Sequence, residues 1–422
     1  MNSTRRHFGR SVLGALAIAA AALAVTPAAQ AAQPIKIGFS MELTGGLAGG
    51  GKPSLLAMQM WAQDVNDAGG LLGRPVQLVY YDDQSNPANV PAIYTKLLDI
   101  DKVDLVVSSY ATNLIAPAMP IVMSHNLVFM GLFGTAVNAK FNYDKYFQIL
   151  PNGPDPAIGP DYGFFQVAET MVPKPTTVAI VGADAEYAQN VIGGARRVVK
   201  DLGLTVVYDK SYPPNTTDYT PIIHAIQATN PDIVFVASYP PDTVGMVRAA
   251  SEAGLKTRMF GGGMIGLAFA PIKTQLGPLL NGIVAYDVYV PEPTMKFPGV
   301  EAFLKIYQAK AKEEKIDPLG YYLPPFAYAE MQIIGDAIKA VGSLDQAKMA
   351  AYMHKTTFNT IVGPVTFNAA GEWAKSRILF VQYKGIVGHD LAQFTQAGTQ
   401  TILYPPEFKS GTFDYPYADI KK

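Results

Sequence analysis

The amino-acid sequence predicts an α/β protein of two similar units in tandem, each a parallel-type sheet flanked by helices. Three observations carry this. Short apolar runs alternate with longer runs that hold a helical stripe of apolar residues. The alternation pauses at the Pro/Gly-rich segment Pro151–Pro160 and then begins again. Glycines stand where the stripes end, the ordinary place for a glycine just past a helix.

The elements follow in order. Ile35–Ser40 reads as a short strand. Leu55–Ala68 sets Leu55, Met58, Trp61, Ala62 and Val65 at helical spacing and stops at Gly69-Gly70. Val76–Tyr81 reads as strand, Pro91–Leu98 as helix, Val103–Ser108 as strand, Ala116–His125 as helix and Leu127–Met130 as strand. After the break, strands are predicted at Thr177–Val181, Thr205–Tyr212, Ile233–Ser238 and Arg258–Gly261. Helices at Tyr187–Leu202, Tyr219–Ala228 and Thr243–Ala253 lie between them. A further segment starts at Ile283–Val290, followed by long helices over Gly299–Glu314 and Pro325–Val341 and antiparallel strands from Gly363 onward.

Composition narrows the function classes. A basic stretch (Arg5, Arg6, Arg10) precedes an apolar run from Val12 to Val25, and Ala29-Gln30-Ala31 offers a cleavage site. Residues 1–31 therefore read as an export signal. The grouping Thr4-Arg5-Arg6-His7-Phe8 resembles a twin-arginine signal, with an ordinary secretory signal as the alternative. Of 422 residues, 391 remain, enough for two domains with real cores. A net charge of −1 without a long basic run argues against nucleic acid as the partner. The chain has no cysteine, which excludes disulfides and thiolate catalysis. No later stretch is apolar enough to span a bilayer, so a soluble mature chain is expected.

One motif points elsewhere. Gly46–Lys52 reads GLAGGGK, the spacing of a nucleotide-phosphate loop between a strand and a helix. The position that should supply a Mg²⁺-binding hydroxyl is Pro53. Five glycines between Gly45 and Gly51 make a chance match easy, so the loop is expected to serve another purpose.

Catalytic signals are sparse. The five histidines have no metal-pair spacing, and no G-x-S-x-G elbow occurs. Asp82-Asp83 after a strand suits either a turn and cap or an acid pair, the first being the ordinary role. No cofactor or metal is expected. Open α/β sheets bind solutes beyond the carboxyl ends of their strands. That nominates Met41–Gly51, Ser108–Asn113, Leu132–Thr135, Ala183–Tyr187 and Tyr239–Asp242, which hold hydroxyls, glycines and aromatic rings but few charges. Such loops suit a small, mostly apolar solute fixed by a few polar anchors.

The stretch "ELTGGLAGGGKPSLLAMQMWAQDVNDAGGLLGRPVQLVYYDDQSNP" resembles the opening of the type I periplasmic binding proteins related to the leucine/isoleucine/valine-binding protein. "TTDYTPIIHAIQATNPDIVFVASYPPDTVGMVRAASEAGLK" and "GPVTFNAAGEW" are similar to later parts of the same family. The resemblance implies two α/β lobes joined by three hinge crossovers. Their expected extents are 34–152 plus 284–361 and 153–283 plus 362–422. It implies a periplasmic monomer that captures a small solute and hands it to an ABC permease in the inner membrane, without enzymatic turnover. A branched-chain or other apolar or aromatic amino acid leads. An aromatic or branched carboxylate, an amide or a urea-like solute is the alternative, and a sensory receptor subunit or an enzyme are further ones.

The resemblance also carries residues across. Thr112 and Thr135 fall on the ligand hydroxyls of the first lobe, with Phe133, Tyr110, Ala111 and Leu47 beside them. Tyr187 should cover the solute from the second lobe, and Asp242 falls where amino-acid binders hold an acidic residue for the ammonium. For Thr112 and Asp242 a plain helix cap is the competing role. For Thr135 it is a local backbone hydrogen bond, and for the rings it is packing.

Overall fold

The computed structural model describes residues 33–421; the expected export signal lies outside the described residues. The chain begins with β1 (Ile35–Met41), α1 (Ala48–Asp67), β2 (Val76–Asp82), α2 (Val90–Thr95) and β3 (Leu105–Tyr110). A broken helix follows as α3 (Thr112–Ile115) and α4 (Met119–Ser124), then β4 (Phe129–Leu132), α5 (Asn138–Phe141) and β5 (Tyr146–Gln148). These five strands form one parallel sheet in the order β2-β1-β3-β4-β5. Strands β3 and β4 are buried along their whole length because helices cover both faces of a parallel sheet.

The second unit runs α6 (Gly159–Ala168), β6 (Thr177–Ala183), α7 (Glu186–Asp201), β7 (Thr205–Tyr212), α8 (Thr220–Gln227) and β8 (Ile233–Ser238). It continues with α9 (Pro240–Glu252), β9 (Met259–Met264), α10 (Ala270–Leu276) and β10 (Val284–Asp287). The chain then returns to the first unit with α11 (Val300–Glu314), α12 (Pro324–Val341) and α13 (Gln346–Met353), and forms a hairpin from β11 (Thr357–Thr360) and β12 (Gly363–Thr366). It crosses back to add β13 (Leu379–Tyr383) and β14 (Gln400–Tyr404). The second sheet has the order β14-β13-β10-β9-β8-β6-β7, with β13 antiparallel to both neighbours. The chain thus passes between the sheets three times.

The pairing moves two of the expected lobe boundaries. A boundary at 284 cuts off β10, which is bonded to β9 and β13 in the second sheet, so the crossing falls after Asp287. A boundary at 362 splits the β11–β12 hairpin, so that crossing falls after Thr366. The sequence predicts no helix at α6, because GPDYGFFQVA holds two glycines and a proline. Packing overrides propensity there: Phe164 and Phe165 are buried with their rings 5.2 and 5.4 Å from that of Phe235.

Helix α1 starts at Ala48, earlier than its apolar stripe, and takes in the glycines of the phosphate-loop-like motif. Those glycines permit close packing. A Cβ on Gly51 would sit 2.2 Å from the Glu42 carbonyl oxygen, and one on Gly50 would sit 2.8 Å from Leu323 and 2.9 Å from the Tyr110 ring. Gly49 has open space around it. Asp82 organises the same loop. It accepts hydrogen bonds from Leu43 N–H (3.0 Å), Thr44 N–H (3.2 Å) and Thr44 Oγ1 (2.7 Å), which is the turn role expected of this residue.

The glycine contacts make a stability test. Gly51→Ala should destabilise the protein by about 1–3 kcal/mol, as overpacking does. Gly49→Ala should be neutral or stabilising by up to about 1 kcal/mol, since Ala is the better helix former. Urea denaturation of the two variants checks this; equal effects would remove the packing explanation for the glycine run.

Candidate ligand-binding site

The carboxyl ends of strands from both sheets meet across one gap. On the first-lobe side, Tyr110 ends β3 and Thr112 opens α3. Thr112 Oγ1 accepts a hydrogen bond from the Thr135 N–H at 2.9 Å, which joins the loops after β3 and β4. Ala111, Phe133 and Ala136 all adopt positive φ (86°, 61° and 54°). Such backbone is uncommon outside glycine, and strain of this kind concentrates at functional sites. Thr135 is fully buried, and its Oγ1 has no hydrogen-bond partner among the described residues. Buried hydroxyls are ordinarily satisfied, so this one stands out.

The second-lobe side is held just as firmly. The Tyr187 N–H donates to the Tyr239 hydroxyl at 3.0 Å, and the Tyr187 hydroxyl donates to the Gly263 carbonyl at 3.0 Å. Their rings meet edge to face with centroids 5.5 Å apart. Asp242 lies in the first turn of α9. Its carboxylate accepts a hydrogen bond from the Tyr212 hydroxyl. Burial pushes the Asp242 carboxyl up to about 6, against the lowering effect of that bond. Leu47 donates its N–H to Ser85 Oγ at 3.1 Å. With Gly46, Gly50, Pro240, Pro241 and Phe269 it lines a cavity of about 400 Å³ between the lobes.

Three ring-bearing residues escaped the sequence reading. Tyr322, just before α12, makes edge-to-face contacts with Tyr110 (6.3 Å) and Phe133 (5.1 Å) of its own lobe. It makes the same kind of contact with Phe269 (5.2 Å) and Tyr286 (6.3 Å) across the gap. Tyr286 stands near the carboxyl end of β10, where the strand-end rule would have nominated it had β10 been placed in the second sheet. Tyr322 and Phe269 sit outside strand ends and left no such signal. Glu42, next to Met41 at the end of β1, is also fully buried; burial first, then the nearby Asp83, hold its carboxyl well above the usual range.

Contacts join the lobes at the edge of this cluster. Asn190 Nδ2 of α7 donates to the Thr135 carbonyl at 2.9 Å. Lys140 of α5 pairs with Glu186 of α7 at 2.8 Å, half-exposed and of small energetic weight. The structure thus brings Tyr110, Ala111, Thr112, Phe133, Thr135 and Tyr187 to one gap and sets Leu47 at its mouth. Asp242 is bonded to Tyr212.

A family model described as periplasmic binding protein matches residues 34–388. The chain belongs to that family. This periplasmic binding protein is 26% identical over 343 residues to the leucine-, isoleucine-, valine-, threonine- and alanine-binding protein of Pseudomonas aeruginosa, covering 81% of this chain and 88% of that one. Its fold is similar to the branched-chain amino acid transporter substrate-binding protein of Streptococcus pneumoniae solved with isoleucine (TM-score 0.72, 18% identity, 88% and 100% of the two chains). It is also similar to a solute-binding protein of an R. palustris ABC transporter in complex with 4-hydroxybenzoate (TM-score 0.70, 20% identity, 85% and 95%). The two-lobed architecture agrees with this family.

The Asp242 environment predicts a pH dependence. Its folded pKa is raised, so between about pH 4 and 6 the folded state holds more protons than the unfolded one, and this group's contribution to stability falls as pH rises. Asp242→Asn removes that loss. The stability of the variant relative to wild type should improve by up to about 3 kcal/mol from pH 4 to 7. Denaturant melts at the two pH values measure it, and a pH-independent difference would refute the assignment.

Proposed function

We propose that this periplasmic binding protein captures a small aromatic monocarboxylate between its lobes and delivers it to an ABC permease from the periplasm. The observation that carries the reading is the unpartnered hydroxyl of Thr135, buried beside Thr112 two residues from Phe133, whose ring packs on Tyr322 in the cluster of rings from both lobes. A carboxylate accepts hydrogen bonds from hydroxyl donors, and an aromatic body matches ring walls edge to face. The acidic residue expected to hold an ammonium is already engaged with Tyr212. Tyr187, fixed at both its N–H and its hydroxyl, serves as a rigid wall rather than as a hydrogen-bond donor to the solute. A solute that touches both lobes favours the closed arrangement through its differential contacts.

A branched-chain or aromatic amino acid is the second reading. The curated relatives favour it by their names, and Asp242 favours it by its place in the first turn of α9. An ammonium would then have to draw Asp242 from Tyr212.

Titration calorimetry on the refolded mature protein separates the two. The first reading expects 4-hydroxybenzoate or benzoate to bind, Thr135→Val to weaken binding by about 1–3 kcal/mol, and Asp242→Asn to leave it unchanged. Binding of leucine or phenylalanine that falls by about 2–5 kcal/mol in Asp242→Asn would establish the second reading instead.

A further inference from the structure

A second built pocket lies at the hinge, away from the gap. It encloses about 300 Å³ and is walled by Phe297, Pro364, Trp373, Arg377 and Phe408, with Lys375 and Glu407 at its rim. Arg377 is only 8% exposed. Its guanidinium is stacked between the rings of Phe297 (4.6 Å) and Trp373 (4.8 Å). Its Nε and Nη2 have no hydrogen-bond partner among the described residues, and neither has the indole N–H of Trp373. Glu407 is engaged elsewhere, 2.6 Å from Lys375 Nζ. Burial without a counter-charge pulls the Arg377 guanidinium down to about 9.

The cluster offers unpartnered donors: Arg377 Nε and Nη2 and the Trp373 N–H. Guanidinium groups present the edge formed by Nε and one terminal nitrogen to carboxylates as a paired donor. Aromatic and proline walls around it exclude a strongly hydrated inorganic ion and suit a hydrocarbon body. We propose that this pocket is a second ligand site, which takes a small apolar carboxylate on Arg377 and the Trp373 N–H.

Its position gives it influence over the hinge. The Arg377 N–H donates to the Pro151 carbonyl of the first crossover at 2.9 Å. Its side chain rests on Phe297 of the second crossover, and Arg377 itself belongs to the third. An anion held there touches the segments that move when the lobes close, so it couples to solute binding in both directions. The proposal is independent of which solute the gap holds.

The chain has two tryptophans, Trp61 and Trp373, so Trp61→Phe leaves a single reporter inside the pocket. Acetate, benzoate, phosphate and sulfate are titrated against its emission, with chloride as control. The expected result is a saturable change with the carboxylates, at least about tenfold weaker in Arg377→Met and retained in Thr112→Val/Thr135→Val. Arg377→Met should also melt at or above the wild-type temperature, since removing an unpaired buried charge is neutral or stabilising. No saturable change, a change retained in Arg377→Met, or a response to phosphate and sulfate alone would overturn the proposal. Should Trp61→Phe fail to fold, calorimetry on wild type and Arg377→Met reads the same comparison.

Discussion

The contact of Tyr322 with rings from both lobes is the interaction on which the arrangement depends. Two sheets joined by three crossings of the chain have no covalent reason to face each other at one angle. The rings of Phe269 and Tyr286 meet Tyr322 from one side, and those of Tyr110 and Phe133 from the other. Aromatic pairs of this geometry contribute about 0.5–1.5 kcal/mol each beyond the area they bury. Contacts of that size join the lobes and stay within reach of a solute's differential contacts.

The segments on either side of the gap are stiff for identifiable reasons. Tyr187 is fixed at its N–H and at its hydroxyl, and the loops after β3 and β4 are joined by Thr112 and Thr135. Asp287 ends β10 where the chain leaves for the first lobe. It faces Lys273 of α10 at 3.8 Å, and Gln400 accepts a hydrogen bond from the same ammonium at 3.0 Å. Burial lowers the pKa of Lys273 and raises that of Asp287, and each opposes the other's shift. A fully buried pair of this kind adds little net stability, but separating it is costly, so the end of β10 stays with the second sheet as the lobes move.

The hinge joins the three crossings into one body. Pro151, Phe297 and Arg377 come from different crossings, yet they touch through one backbone hydrogen bond and one ring–guanidinium stack. Gly153 permits this approach: at φ 87°, a Cβ there would lie 2.6 Å from the Ser376 nitrogen. Arg377, which lines the hinge pocket, therefore touches all three crossings.

The sequence by itself determined the strand–helix alternation, the two-unit organisation and the loops that face the gap. Those follow from local periodicity, from glycine and proline punctuation, and from the rule that parallel sheets bind at their carboxyl ends. Those loops contain Tyr110, Thr112, Phe133 and Thr135, which the family resemblance then singled out as candidates. Tertiary structure decided the rest. Strand β10 reads like any short apolar run, and only its pairing with β9 and with β13, almost a hundred residues later, assigns it to the second sheet. Tyr322 joins the site through the return of α12 to the first lobe, a contact that no local pattern encodes. Asp242 looks the same in sequence whether it faces a solute or a tyrosine. Its bond to the Tyr212 hydroxyl, thirty residues before it, is a contact between the end of β7 and the first turn of α9 that only the fold creates.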